Sequence, residues 1–194
     1  MYAQYAFDFM EPLPPRPKLA ERLIFMLFPD PVTAVEVDRF GSRFIREHSL
    51  AGKRLRRARL HISLHHLGDY RKLRSTIVYA ATQAAKVVFI PPFDITFRSI
   101  VSFAAPPRKK ERPLVLLGEG EGLTKLHQAL AEAQRKNGLR ASDRLTPHMT
   151  LFYGEGVPAQ AIEPIRFTAR DFALVHSKLW LSEYDVLGRW PLRG

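Results

Sequence analysis

The order of apolar and polar positions along the chain predicts interleaved strands and helices. Residues 22–28 form an apolar run closed by Pro29 and Pro31, which is typical of a buried strand. Three later segments carry apolar residues at helical spacing: 33–48, 72–87 and 122–137. Because Gly138 follows the third segment, we expect that helix to end there.

Alternation of apolar and polar residues with a period of two predicts the other strands. It is clear over residues 93–103, and residues 113–117 are the expected hairpin partner of that strand. Two more strands are predicted over 165–174 and 184–190. Helices and strands interleave, but the hairpin signals argue against an all-parallel sheet, so the pattern favours the α+β class.

Two strand segments open with the same short phrase. His61-Ile62-Ser63-Leu64 and His148-Met149-Thr150-Leu151 both read His-x-Ser/Thr-Leu, and both strands run out into a glycine and a carboxylate. In a strand, each histidine shares a face with the hydroxyl residue two positions on, and the apolar residues occupy the other face. The repetition indicates an internal duplication, with one face of each strand available for chemistry and the other for packing.

Composition narrows the class of protein. With 194 residues, of which 46% are hydrophobic, the chain can bury a sizeable core as one domain or as two lobes sharing a cleft. The sequence has no cysteine, which removes disulfides, thiolate nucleophiles and cysteine-ligated metals and fits a reducing cytosol. No stretch approaches the roughly 18 apolar residues of a membrane span, so we expect a cytoplasmic protein without membrane contact.

Charge predicts an anionic partner. The formal net charge is +11, and a field of that sign attracts phosphates. The densest basic run, residues 53–59, leads into the first motif, and a strand that began early would place Arg57, Arg59 and His65 on the face of its histidine. A solvated loop explains either arginine equally well. A second basic cluster, residues 108–112, lies between prolines and is predicted to be an exposed hairpin tip.

The paired motifs resemble those of the two-histidine phosphoesterase superfamily. Within it, the chain is similar to the bacterial RNA 2′,3′-cyclic phosphodiesterases, which were first described as 2′-5′ RNA ligases. The resemblance covers about residues 20–192 and includes the strand 22–29 and the closing Trp190-Pro191-Leu192. It implies an α+β, bilobal, duplicated fold, in which two mainly antiparallel sheets face each other across a central cleft with helices outside. We expect one such domain over 21–194, preceded by an irregular proline-rich lead over 1–20.

The resemblance also implies a reaction. Members open the cyclic phosphate at an RNA end and leave a 2′-phosphomonoester, with reversible 2′-5′ ligation as a related reaction. His61 and His148 are then the acid–base pair, since the unperturbed pKa of imidazole, about 6.5, allows one neutral and one protonated copy. Ser63 and Thr150 are expected to donate to the phosphate oxygens. The repeat leaves acid and base interchangeable, and His61 is preferred as the acid.

Two departures from the family concern phosphate contacts. Ser63 stands where threonine is more frequent, which keeps the hydroxyl. Phe152 stands just after the second motif, in a region where relatives often carry an arginine. Arg57 and Arg59 are candidates to compensate for it. His65 is a candidate for the cleft rim and Phe152 for stacking on a base, although an aromatic in an alternating strand usually packs in the core.

Three alternatives compete with this reading. His61, His65 and His66 have some of the spacing of metal ligands, but the residues between them favour a strand and the pattern contains no glutamate, so neither a metal nor another cofactor is expected. A second alternative keeps the basic cleft as an RNA-binding module without catalysis. A third keeps the catalytic pair and changes the substrate to a small cyclic nucleotide or another nucleotide ester. The expected partner is an RNA or nucleotide bearing a 2′,3′-cyclic phosphate, and no obligate protein partner is evident.

Overall fold

The computed structural model describes residue 16 and residues 18–105, 110–181 and 183–194. In these ranges the strands are β1 (Glu21–Leu27), β2 (Gly52–Arg54), β3 (Ile62–Tyr70), β4 (Phe93–Ser102), β5 (Arg112–Glu119), β6 (His148–Gly154), β7 (Gln160–Ala169), β8 (Asp171–Lys178) and β9 (Glu183–Pro191). The α-helices are α1 (Pro31–Glu47), α2 (Ser75–Lys86) and α3 (Glu121–Lys136), and a short 3-10 helix spans Arg57–Arg59. The three predicted helices are confirmed to within a few residues at each end.

The strands form one antiparallel sheet in the order β7-β4-β5-β6-β3-β1-β8-β9, and β2 pairs with the free side of β6. The two motif strands, β3 and β6, lie next to each other at the centre and are joined through the pair Ile62–Met149. Each is flanked by three further strands, so the sheet consists of two four-stranded halves. The α+β class and the antiparallel pairing are confirmed, and the two expected sheets meet edge to edge at this one pair.

The three helices pack on one face of the sheet, which we call the helix face. Its core alternates along the strands, so that Leu23 and Phe25 of β1 are fully buried there. The helices contribute Val37 and Phe44 from α1, Ala81, Ala84 and Ala85 from α2, and Leu123, Leu126, Leu130 and Ala133 from α3. Because neighbouring side chains point to opposite faces, Ile24 and Met26 lie on the other face, which we call the cleft face, beside Ala173 and Val175.

The prediction of a single strand over residues 165–174 is wrong. The chain turns at the exposed Arg170, and the two parts of the segment become β7 at one edge of the sheet and β8 in the other half. The apolar alternation changes phase at the turn. Before it the buried residues have odd sequence numbers, Ile165 and Phe167, and after it they have even ones, Phe172 and Leu174. A single period-two strand cannot bury both sets on one face.

Two predictions fall largely outside the described residues. Residues 1–15 and 17 of the expected lead, and residues 106–109 around the expected hairpin tip, are not among them. The division into a lead over 1–20 and a domain over 21–194 therefore stays a prediction. Within the described part of the chain, no helix combines the length and the apolar character that crossing a bilayer requires.

Candidate active site

The pairing of the two motifs brings four predicted site residues to one face of the sheet. Ile62 and Met149 pair with each other, and both side chains are fully buried on the helix face. The residues before and after each of them must therefore lie on the cleft face. These residues are His61, Ser63, His148 and Thr150, and all four are partly exposed. The centre of the sheet thus holds two imidazoles and two hydroxyls from the two halves of the duplication.

The two imidazole rings are held in the same way. Nδ1 of His61 lies 2.7 Å from the carbonyl oxygen of Arg59, and Nδ1 of His148 lies 2.7 Å from the carbonyl oxygen of Thr146. A carbonyl oxygen can only accept, so each Nδ1 carries its hydrogen and donates it. Proton exchange is then left to Nε2 on both rings. The repeated sequence phrase corresponds to a repeated orientation of its histidine.

Aromatic side chains flank both histidines. The ring of Tyr184 meets His61 edge to face at 5.7 Å between centroids, and Phe28 lies 6.4 Å away. Phe103 meets His148 edge to face at 5.0 Å. These contacts fix the ring planes and partly remove the imidazoles from water. Sequence reasoning placed Tyr184 and Phe103 in strands and missed their place beside the site, since the residue pattern does not show where strand ends converge.

The surroundings of His61 favour its neutral form. Removal from water lowers the pKa of His61 below its usual 6.5, and the hydrogen bond to the Arg59 carbonyl opposes this. The positive charges of Arg59 and of protonated His148 also lower the pKa of His61. The effect of His148 means that the two imidazoles lie within electrostatic range of each other. The preference for His61 as the acid is therefore not supported by its environment.

The basic run before His61 does not continue β3 along the cleft face. Arg57–Arg59 form a 3-10 helix. The prediction that the two arginines share a strand face with His61 is therefore wrong. Arg59 stays close to the site, because its guanidinium lies 4.2 Å from the centre of the Tyr184 ring and its charge acts on His61. Arg57 is exposed and lines a small cavity together with Leu60 and Phe28, the ring that lies 6.4 Å from His61.

A bulge at the leucine of each motif removes two other predicted residues from the cleft. The register of β3 against β1 skips Leu64, and the register of β6 against β5 skips Leu151. Each bulge shifts the strand phase by one, so His65 and Phe152 turn to the helix face, where they are 3% and 1% exposed. The prediction that these two side chains bind substrate is wrong.

Both displaced side chains have structural partners. His65 stacks on His127 of α3 with ring centres 4.0 Å apart, and its Nε2 donates to the His127 carbonyl oxygen at 2.9 Å. Burial lowers the pKa of His65 to about 4, so the ring is neutral near pH 7. Phe152 belongs to the main core. His61 and His65 lie on opposite faces of the sheet, so they cannot ligate one metal ion as the metal alternative requires.

The same bulges bring a later residue of each strand to the cleft face. It lies five positions after the histidine in both halves, as His66 on β3 and Tyr153 on β6. The His66 side chain is 48% exposed and Tyr153 is 41% exposed. Sequence reasoning missed both, since an unbroken strand would place the third cleft residue at position four. Among the described residues, no three His, Cys, Asp or Glu side chains are grouped so that they could hold a metal ion.

A helix-backed antiparallel sheet with one His-x-Ser/Thr motif from each half defines a two-histidine phosphoesterase. The family model of the 2′-5′ RNA ligase superfamily matches residues 29–184, and the chain belongs to this superfamily. No match was found among curated protein sequences.

Solved structures share the fold. E. coli LigT complexed with 3′-AMP superimposes with a TM-score of 0.69 at 23% identity, covering 90% of this chain and 99% of LigT. The LigT complex with ATP gives a TM-score of 0.69 at 20% identity, with the same coverage. The protein TT0787 of Thermus thermophilus gives 0.68 at 22% identity, covering 89% of this chain and 98% of TT0787. At these identities the likeness shows the fold.

Proposed function

We propose that this protein hydrolyses the 2′,3′-cyclic phosphate at RNA ends to a 2′-phosphomonoester. The observation that carries the proposal is the pair of imidazoles on one face of the central junction, each with Nδ1 tied to a carbonyl and Nε2 available for proton transfer. The fold of a LigT structure that holds 3′-AMP, a ribonucleotide, supports a substrate of this class. The net charge of +11 supports a polyanion.

The reaction needs a base and an acid on opposite sides of the phosphorus. The base takes a proton from water as its oxygen bonds to phosphorus, and the acid protonates the 3′ oxygen as its bond to phosphorus breaks. The hydroxyls of Ser63 and Thr150 donate to the non-bridging oxygens, which carry negative charge throughout. A 5′-hydroxyl of a second RNA in place of water gives a 2′-5′ linkage by the same displacement.

Within this mechanism we assign His61 as the base and His148 as the acid. A base must be neutral before it reacts, and both the partial burial of His61 and the nearby Arg59 charge favour that state. This reverses the preference drawn from the sequence, in which the repeat makes the two histidines equivalent.

The assignment predicts the pH dependence of His61. We expect its imidazole to titrate below pH 6.5 in an NMR titration, so that kcat/KM falls on acidification only below that pH. Arg59→Ala removes a positive charge beside the ring and should move the His61 pKa upward. Arg43→Ala removes one positive charge from the outer side of α1, away from His61, and should leave the His61 pKa unchanged. Titration of His61 above pH 6.5 would contradict the assignment.

Removal of either hydroxyl should weaken transition-state binding. We expect Ser63→Ala and Thr150→Ala each to lower kcat/KM by about 1.5–3 kcal/mol, the value of one hydrogen bond to a charged group. Thr150→Ser keeps the hydroxyl, as the first motif does, and should retain most of the activity. Thr82→Ala, which removes a hydroxyl bonded to the Val78 carbonyl within α2, serves as the distant control. Equal kcat/KM for all four variants and the parent would show that the Ser63 and Thr150 hydroxyls do not bind the transition state.

The assay that tests the proposed function uses a short RNA ending in a 2′,3′-cyclic phosphate, with excess EDTA present. We expect turnover, since two imidazoles supply both proton transfers. Loss of activity in EDTA that zinc or magnesium restores would assign the chemistry to a metal. Turnover of cyclic mononucleotides without turnover of RNA would assign a small-molecule substrate. Tight RNA binding with no turnover of either substrate would support the alternative of an RNA-binding module without catalysis.

A further inference from the structure

A group of charged side chains lies on the cleft face beyond Ser63. Arg22 of β1 lies opposite Asp69 of β3 and donates through Nε to Oδ1 at 2.7 Å and through Nη2 to Oδ2 at 2.8 Å. Nε2 of His66 lies 2.8 Å from Oδ1 of the same carboxylate. Arg22 alternates with the buried Leu23, so it shares the cleft face with His66. We call Arg22, Asp69 and His66 the clamp.

The clamp holds a guanidinium in a fixed orientation. The hydrogen bond from Arg22 is the main reason that the pKa of Asp69 falls to about 2, so the carboxylate is ionised at any physiological pH. A two-point bond to a carboxylate uses two of the five N–H donors of an arginine, and the remaining donors point away from Asp69. An arginine held in this way recognises a phosphate with little loss of side-chain entropy.

Strand pairing places Arg22 near the aromatic ring that flanks His61. Arg22 lies opposite Ser177 of β8, and Ser177 lies opposite Tyr184 of β9. After the larger effects of Asp69 and burial, the charges of Tyr184 and Tyr153 also act to raise the pKa of Arg22. Tyr184 packs on His61, and Tyr153 follows the second motif on the cleft face. Arg22 therefore faces the same cleft as the catalytic pair and does not belong to a remote surface.

The distance along β3 separates the clamp from the reacting phosphate. Asp69 lies six residues after Ser63, which is roughly 20 Å of fully extended strand. The bulges at Leu64 and Leu67 bend the strand and shorten this span. In the proposed mechanism the two histidines and two hydroxyls contact the reacting phosphate, so a further fixed cation in the cleft fits a different phosphate of the same substrate.

We propose that Arg22, held by the Asp69 carboxylate that His66 also contacts, binds a phosphodiester on the 5′ side of the cyclic end and so selects RNA strands over cyclic mononucleotides. The proposal rests on the proposed function, because it names the part of the substrate that lies beyond the reacting nucleotide. Phosphate contacts of this kind position a strand without reading its sequence. The clamp would then favour oligonucleotide ends of any sequence.

The test compares two substrates of one reaction, a cyclic mononucleotide and a trinucleotide ending in a 2′,3′-cyclic phosphate. For Arg22→Ala we expect the ratio of kcat/KM for the trinucleotide to that for the mononucleotide to fall about tenfold at low salt, as for a lost hydrogen bond to a charged group. The fall should shrink as salt is added. Arg43→Ala removes an arginine that pairs with Glu47 on α1 and should keep the parent ratio. A ratio for Arg22→Ala within twofold of that for Arg43→Ala would overturn the proposal.

A second variant and a second readout protect the test from failure for other reasons. Arg22→Lys keeps the charge without the two-point bond and should lower the ratio by about threefold, so it stands in if Arg22→Ala does not fold. Fluorescence anisotropy with a labelled trinucleotide ending in a 2′-phosphate measures binding without turnover. If the parent hydrolyses neither substrate, the proposed function fails. The binding measurement still tests whether the clamp binds the RNA strand. Weaker binding by the Arg22 variants than by Arg43→Ala supports the clamp, and equal binding contradicts it.

Discussion

Replacement of His61 or His148 by alanine is expected to lower kcat on an RNA cyclic phosphate by about a hundredfold or more, the contribution typical of a general acid or base. Each variant loses the Nε2 atom that its Nδ1 bond to a carbonyl leaves available. The double variant should be little worse than either single one, because the two groups act in the same displacement and their effects are not additive.

His48→Ala is the matched control for these variants. His48 also bonds a carbonyl through Nδ1, to Phe44, and stacks on the Phe44 ring at 4.0 Å, but it lies at the end of α1. We expect its loss to leave kcat near the parent value. If His61→Ala or His148→Ala kept near-parent turnover while folding normally, the two-histidine mechanism would be wrong.

Phe152→Ala is expected to lower the free energy of unfolding by about 3–5 kcal/mol, as for other large aromatic deletions in a core. The ring is 1% exposed, and two glycines approach it closely. A Cβ on Gly52 or on Gly154 would lie 2.5 Å from the ring, and Gly52 also has a φ of +153°, which side chains disfavour. The strand β2 can pair with β6 only because these positions lack side chains.

Tyr153→Ala is the neighbouring control for Phe152→Ala. Tyr153 is 41% exposed on the opposite face of the same strand, so its loss should cost much less stability. Urea unfolding followed by circular dichroism measures both variants. Unchanged stability of Phe152→Ala together with weakened RNA binding would restore Phe152 as a residue that stacks on a base.

The placement of the four motif side chains on one face could be predicted because the sequence information for it is local and repeated. His61 and Ser63 share a face in any regular strand, and the same holds for His148 and Thr150. The helices could be predicted because each carries a continuous apolar stripe. The α+β class followed from the hairpin signals. These features depend on residues that are close in sequence, and a sequence pattern contains information about such residues.

The misplacement of His65 and Phe152 has its physical origin in the phase of the strands. The bulges at Leu64 and Leu151 exist because of how β3 registers with β1 and β6 with β5, and nothing in either strand alone marks them. A one-residue shift moves every later side chain to the other face, which is why His65 and Phe152 are buried while their neighbours reach the cleft. The clamp partners Arg22 and Asp69 are 47 residues apart and likewise meet only through strand pairing.

The position of the phosphate in the product tests the central proposal most directly. A short RNA with a labelled 2′,3′-cyclic end is incubated with the parent protein, and the product is compared with authentic 2′- and 3′-phosphate standards. In-line displacement with the 3′ oxygen as the leaving group predicts the 2′-phosphate, formed by the parent and not by the His61→Ala, His148→Ala double variant. A 3′-phosphate product, or equal hydrolysis by the double variant, would contradict the proposed mechanism.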